Sequence, residues 1–283
     1  YFYVKHFLPY LPNIENAIIF SSRKRSVTEL RKEAKKGTEP AKQYFQPKPV
    51  EELYNIQADP HQMNNLAMYD DYRNIVEAMR DSLKSKILAT RDVGFLNEAE
   101  MLRRAKKSSP YEYAQSDDYK LKEILQTAWE VGVADVSYEK LKAPDSGIRY
   151  WALENFIAQH DSLNITPSQF EFLLDDESPV VQIKAAELMC YLGDDQQPPK
   201  ILAGHLDASN VYLALQAAIS LRRIGEKARP VIPEVKEALK MYSGNVWGRY
   251  KNWFAPMFIG MALDQTLINC GVVDEETIVR QTL

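Results

Sequence analysis

The chain of 283 residues is poor in the residues that usually carry covalent or metal chemistry. Two cysteines, Cys190 and Cys270, are too few for a disulfide framework, and Cys190 sits inside an apolar helical pattern, so it reads as a buried free thiol. Four histidines, His6, His61, His160 and His205, are scattered without metal-ligand spacing, which argues against a structural metal site. The 11 glycines form no phosphate-cradling loop, and no Gly-x-Ser-x-Gly elbow occurs. Apolar runs stop well short of the roughly 18 residues that a membrane span needs, and no secretory leader pattern is visible. The neighbouring carboxylates Glu51/Glu52, Asp175/Asp176 and Asp194/Asp195 fall on a predicted strand or at predicted helix ends, where solvated or capping roles explain them. On its own residues the chain is expected not to be an enzyme.

What is present is ordinary globular composition, 45% hydrophobic and 26% charged, in a chain long enough for two domains. The net charge of −4 is unevenly spread: residues 1–50 carry +6 and the remainder −10. A basic N-terminal segment beside an acidic body suits a polyanion such as a sulfated glycan or nucleic acid, and equally suits a solvated helix face. The first residue is Tyr1, and Tyr1-Phe2-Tyr3-Val4 is already strand-like, so the chain is expected to begin inside a folded unit of a longer protein.

The chain divides into a mixed first third and a helical remainder, with an expected boundary at 117/118. Tyr1 to Phe7 reads as a strand ended by Pro9 and Pro12, Ala17 to Phe20 as a weaker one, and Glu52 to Gln57 as a third. Val27 to Lys36 has helical character, with Thr28 as N-cap and Gly37 as stop. Ala58-Asp59-Pro60 is a turn in which Asp59 binds backbone amides, and Asn64 and Asn65 cap the next segment. Ile75, Met79, Leu83 and Ile87 recur every four residues, predicting an amphipathic helix from Tyr72 to Leu88 that covers the small sheet. Arg91 to Glu112 reads as a connection.

Pro49-Val50-Glu51-Glu52-Leu53-Tyr54-Asn55-Ile56-Gln57-Ala58-Asp59-Pro60-His61-Gln62-Met63-Asn64-Asn65-Leu66-Ala67 resembles the C-terminal signature of the sulfatases, a Glu-Leu-Tyr-Asp-Leu run followed by Asp-Pro-x-Glu-x-x-Asn-Leu-Ala. Its matching residues are Glu52, Leu53, Tyr54, Asp59, Pro60, Asn65, Leu66 and Ala67, while Asn55 and Gln62 depart from it. Arg91-Asp92-Val93-Gly94-Phe95-Leu96-Asn97-Glu98-Ala99-Glu100-Met101 resembles the tail of a bacterial subgroup related to heparan N-sulfatase. Phe2-Tyr3-Val4-Lys5-His6-Phe7 is similar to a strand of the same subgroup, and residues 37–49 more loosely to its lead-in. The resemblance covers about residues 1–115 in the family's order.

From Leu121 onward amphipathic helices alternate with Asp-, Gly- and Pro-rich breaks. Ala185-Ala186-Glu187-Leu188-Met189-Cys190-Tyr191-Leu192-Gly193 superimposes without a gap on Ala217-Ala218-Ile219-Ser220-Leu221-Arg222-Arg223-Ile224-Gly225, an offset of 32 residues, and Gly147 to Leu153 supplies a third copy. Asp175-Asp176-Glu177-Ser178-Pro179-Val180-Val181 resembles the start of a HEAT repeat, with Gln182 where Arg is usual, and Arg229 to Leu239 resembles a HEAT second helix. Residues 118–283 are thus expected to form an all-α, HEAT-like solenoid behind a small α+β antiparallel-sheet subdomain (1–117). Trp247, Tyr250, Trp253, Phe254 and Phe258 either cap its open end or stack on sugar rings.

The resemblance implies the non-catalytic C-terminal part of a sulfatase. The parent would cleave sulfate esters or N-sulfo groups with a formylglycine, made within Cys-x-Pro-x-Arg, and Ca²⁺, both on an N-terminal domain. That motif is absent from this chain, and no cofactor is expected in it. Expected partners are the N-terminal catalytic domain, a sulfated polysaccharide, and a protein or a second copy through the repeats, with no nucleic acid and no membrane span. The family implies a periplasmic or secreted location. The substrate-contacting candidates are Lys5, His6, Arg23, Lys24 and Arg25, whose cationic side chains suit sulfated sugar. A helical-repeat interaction scaffold and a sulfated-glycan-binding module are the alternatives.

Overall fold

The computed structural model describes residues 1–14, 25–39, 41–207, 209–242, 255–274 and 277–278. It has an α+β beginning followed by an all-α remainder. Strand β1 (Phe2–Lys5) pairs antiparallel with β2 (Glu51–Tyr54), Phe2 opposite Tyr54 and Lys5 opposite Glu51. Both strands are shorter than expected. Beyond Tyr54 the Asn55 side-chain oxygen accepts from the amides of Gln57 and Ala58 at 3.3 and 3.4 Å, which curls the backbone before it can extend the ladder.

A two-stranded sheet alone is marginal, and Asn65 supplies what a third strand would. Its Oδ1 accepts from Leu53 N and Ala67 N, both at 3.0 Å, its Nδ2 donates to Glu51 O at 3.1 Å, and Leu66 N donates to Leu53 O at 2.7 Å. The open edge of β2 is thereby closed by a side chain and one returning amide. Asp59 stabilises the intervening turn by accepting from Asn64 N at 2.8 Å, and Pro60 lies in that exposed turn. Leu53 and Leu66 are buried against Val76.

Helix α1 (Arg25–Lys35) begins earlier than expected, so Thr28 lies within it rather than at its N-cap. The expected strand Ala17 to Phe20 lies outside the described residues. Helix α2 (Arg73–Thr90) joins two cores: Ile75 and Met79 pack on the Leu53 cluster, Leu83 and Ile87 on a larger one. It ends at Arg91, whose φ of +48° is unusual for a side chain of this size. The Arg91 guanidinium donates to the carbonyls of Ala114, Ser116 and Tyr119, which holds it there.

The stretch expected to be a connection is folded. Asn97 caps α3 (Glu98–Arg104) by accepting from Ala99 N at 3.0 Å, and Ser109 with Glu112 forms a capping box on α4 (Pro110–Gln115). Phe7 meets the rings of Phe95 at 5.0 Å, Trp129 at 5.4 Å and Trp151 at 6.2 Å, and Trp151 Nε1 donates to Phe95 O at 2.8 Å. One apolar cluster therefore runs from Ile87 to Trp151, through position 117.

The all-α part comprises α5 (Leu121–Glu130), α6 (Ser146–Gln159), α7 (Pro179–Tyr191), α8 (Pro198–Gly204), α9 (Val211–Arg223), α10 (Ile232–Tyr242) and α11 (Ala255–Asn269). Helix α7 packs against α6, α8 and α9, and α9 against α11. The alanines Ala185, Ala186, Ala217 and Ala218 are fully buried at these contacts, since a methyl side chain lets helix backbones approach. Gly193 and Gly225 follow α7 and α9 with φ of +102° and +62°, the left-handed stops expected of them.

Replacing Asn65 with Ala strips three hydrogen bonds from the edge of β2. Denaturant unfolding of Asn65→Ala is expected to show a loss of about 1–3 kcal/mol, whereas Asn64→Ala stays within about 0.5 kcal/mol of the parent.

Candidate functional site

Successive residues of an extended chain point to opposite faces, and Lys5 at the end of β1 and His6 just beyond it accordingly go apart. His6 Nε2 lies 3.1 Å from Glu52 Oε1, and Glu52 also accepts from Tyr54 OH at 3.0 Å. Lys5 turns inward and is only 8% exposed, its Nζ 5.6 Å from the centre of the Trp129 ring. Burial pushes the Lys5 ammonium down to about 8, Glu51 opposing and Arg80 and Lys84 adding to the shift. Glu51 itself accepts from Tyr3 OH at 2.5 Å and from Arg80 Nε and Nη2 at 2.8 and 2.7 Å. Arg23 and Lys24 lie outside the described residues, and Arg25 opens α1.

Just beyond β1, Tyr10, Leu11 and Pro12 meet Lys48 and Val50 at the mouth of a pocket of about 630 Å³. Its opposite wall comes from the C-terminal ends of α6, α7 and α9 and includes His160, Tyr191 and Arg223. The His160 ring stacks on Tyr191 with centres 5.1 Å apart, and its Nδ1 donates to Ile157 O at 2.7 Å. The size falls within the range of small-molecule sites. This pocket lies at the seam between the α+β unit and the helices.

Behind the pocket lies a buried polar network that sequence reading missed. Lys184 of α7, fully buried, places Nζ 3.0 Å from Glu154 Oε1 of α6 and 2.8 Å from Glu187 Oε2, both carboxylates fully buried as well. Ser220 of α9 donates to Glu187 at 2.6 Å, Tyr191 OH donates to it at 3.3 Å, and Arg223 lies 3.9 Å away. Tyr10 OH reaches in from the N-terminal segment to donate to Glu154 at 2.6 Å. Burial alone would raise the Glu187 carboxyl, but the charges of Lys184 and Arg223 and the hydrogen bonds from Lys184 and Ser220 hold it well below the usual carboxylate range. Burial and the Glu154 charge push the Tyr10 hydroxyl far up, keeping it a donor. The sequence did carry a signal: Lys184 and Glu187 are the charged residues inside the apolar run Val180 to Cys190.

A second network closes the junction between α3 and the helices. Glu100, 2% exposed, accepts from Arg103 at 2.8 and 2.7 Å, from Arg104 at 2.7 Å, from Ser146 at 2.6 Å and from Ser178 at 2.8 Å. Arg104 also bridges to Asp145 at 2.8 Å. Arg149 forks onto Asp176 with two bonds of 2.7 Å. Asp176, expected to be solvated or capping, does accept from Ser178 N at the start of α7, at 2.8 Å, and is in addition a half-buried ion-pair partner. Asp194 lies in the loop between α7 and α8, where it accepts from Gln196 N at 3.0 Å without capping a helix. Cys190 and Cys270 are both buried thiols, and burial raises each.

Among the described residues no three His, Cys, Asp or Glu side chains come together as a metal set. The aromatics Trp247, Tyr250, Trp253 and Phe254 fall outside the described residues, and Phe258 lies on α11 with 42% exposure. Comparison of the chain with protein-family models, with curated proteins and with solved structures finds no match.

Burial would raise Glu100, but its arginines and Ser146 hold the carboxyl at about 2, against 4.5 unperturbed. A depressed acid contributes stability that is complete above the unfolded value and is lost as pH falls through the folded one. Glu100→Gln is therefore expected to unfold more easily at pH 7, by about 3–5 kcal/mol. Its deficit should shrink steadily between pH 4.5 and about 2, as the parent carboxyl protonates. Urea unfolding across that range reads both effects.

Proposed function

We propose that this chain is the non-catalytic C-terminal part of a sulfatase that hydrolyses sulfate esters or N-sulfo groups of a sulfated glycan. One observation carries the reading. Three stretches resemble the family separately along the sequence, around Phe2, Leu53 and Phe95, and they pack as one unit: β1 pairs with β2, and Phe7 meets Phe95 at 5.0 Å. The signature residues serve this unit rather than chemistry, Asn65 closing the sheet edge and Leu53 and Leu66 filling its core. Catalysis would belong to a formylglycine and Ca²⁺ held by an N-terminal domain, with export to the periplasm or outside directed from that part.

The helical part is read as HEAT-like repeats. A side-chain oxygen accepts from the backbone at the start of three helices: Asp145 from Gly147 N, Asp176 from Ser178 N before α7, and Asn210 from Tyr212 N. Arg149 of α6 reaches Asp176 at the start of the next helix of the series, so consecutive units are tied by charge as well as by buried alanines.

The encoding reading frame tests the proposal. A Cys-x-Pro-x-Arg motif is expected upstream of Tyr1, and the full-length protein should release sulfate from sulfated glycan fragments while this chain alone releases none. A start codon within a few residues of Tyr1, or sulfate release by this chain alone, would overturn it, the former in favour of an interaction scaffold.

A further inference from the structure

Around Trp129 the chain gathers positive charge that its own carboxylates offset only in part. The ammonium groups of Lys84 and Lys5 lie 4.6 and 5.6 Å from the centre of that indole. Lys5 is more than nine-tenths buried, yet neither it nor Lys84 nor Lys122 forms a hydrogen bond or ion pair with a described residue. Two neighbouring carboxylates are already committed, Glu51 to Arg80 and Tyr3, and Glu130, which itself lines the adjoining groove, to Lys140. Lys84 and Lys122 stand on the rim of a groove of about 450 Å³ between α2 and α5. Leu88, Leu125, Trp129 and Val133 give that groove an apolar wall, with Gln126 beside them.

A partly desolvated ammonium whose one opposing charge, Glu51, is shared with Arg80 gains from an arriving anion, and like charges at one low-dielectric wall focus the field toward such an anion. We propose that this groove binds a sugar ring bearing a sulfate or phosphate ester, the ester held by Lys84 and Lys122, the ring's C–H face on the apolar wall, and Lys5 adding positive charge at the same indole. Ammonium groups act as compact point charges with rotatable donors, which suits a tetrahedral oxyanion. Gln126 offers a donor and an acceptor to a hydroxyl. The volume is that of a small-molecule site, whereas a helical peptide would need an apolar stripe several turns long. The site consists of this chain's own residues and does not rest on the sulfatase reading, so each can fail while the other stands.

Isothermal titration calorimetry at low ionic strength, with glucose 6-sulfate, glucose 6-phosphate, glucose, sodium sulfate and a glutamate-rich helical peptide, tests the site. One or both sugar esters should bind, their ratio naming the preferred anion, with affinity falling as salt is raised. Glucose and free sulfate should bind about tenfold or more weakly, and Lys84→Gln and Lys122→Gln, both surface changes, should each lose about tenfold, the equivalent of one charge-assisted hydrogen bond. Near pH 8 ester binding should take up protons as Lys5 is driven to its charged form, and Lys5→Met should abolish that uptake. Absence of ester binding, binding of the peptide alone, or ester binding unchanged in both surface variants would overturn the proposal.

Discussion

The structure depends on one buried cation. Lys184 sits with no solvent exposure between two carboxylates that also have none, and those carboxylates belong to different helices, Glu154 to α6 and Glu187 to α7. Ser220 attaches α9 to the same group and Tyr10 attaches the segment that leads out of β1. Apolar packing would hold these helices together over a range of registers. A charge that must meet two fixed opposite charges admits few of them, and a hydroxyl donor from a distant segment fewer still. The network thus positions the α+β unit on the helices and shapes the back of the seam pocket, two of whose walls, Tyr10 and Tyr191, are also its hydrogen-bond donors.

Much of the fold was legible from local pattern. The four-residue spacing of Ile75, Met79, Leu83 and Ile87 gave α2, the repeated alanines gave the contacts of α7 and α9, and Gly193 and Gly225 gave their ends, because each of these signals acts within a few residues of itself. What stayed hidden acts at long range. Nothing near Asn65 says that its amide will complete a sheet edge 12 residues upstream, and nothing near Asp176 says that Arg149 will reach it. The α3 and α4 stretch read as a connection because its helices are only seven and six residues long, too short to display a period, although the Ser109–Glu112 capping box was there to be found.

The candidate site divides in the same way. Cationic composition singled out Lys5 and His6 as substrate-contacting candidates, and the alternation of the extended chain, which decides what each can touch, puts His6 on Glu52 and Lys5 on Trp129. The charges that shape the interior, Glu100, Glu154, Lys184 and Glu187, stand out in the sequence only as polar residues interrupting apolar helix faces. Their roles are architectural: each is held by ion-pair or hydrogen-bond partners of this chain, Glu154 Oε1 by its charge contact with Lys184 at 3.0 Å and no hydrogen bond, and Arg104, Ser146 and Ser178 converge on Glu100.

The dependence on Lys184 is tested most directly by replacing it with methionine, which preserves length and removes the charge, and measuring unfolding free energy in denaturant. Two facing carboxylates left without their cation should cost about 3–5 kcal/mol, a large share of the roughly 5–15 kcal/mol that holds a typical protein folded. A Lys184→Met protein within about 0.5 kcal/mol of the parent, the range of an ordinary surface change, would contradict the account.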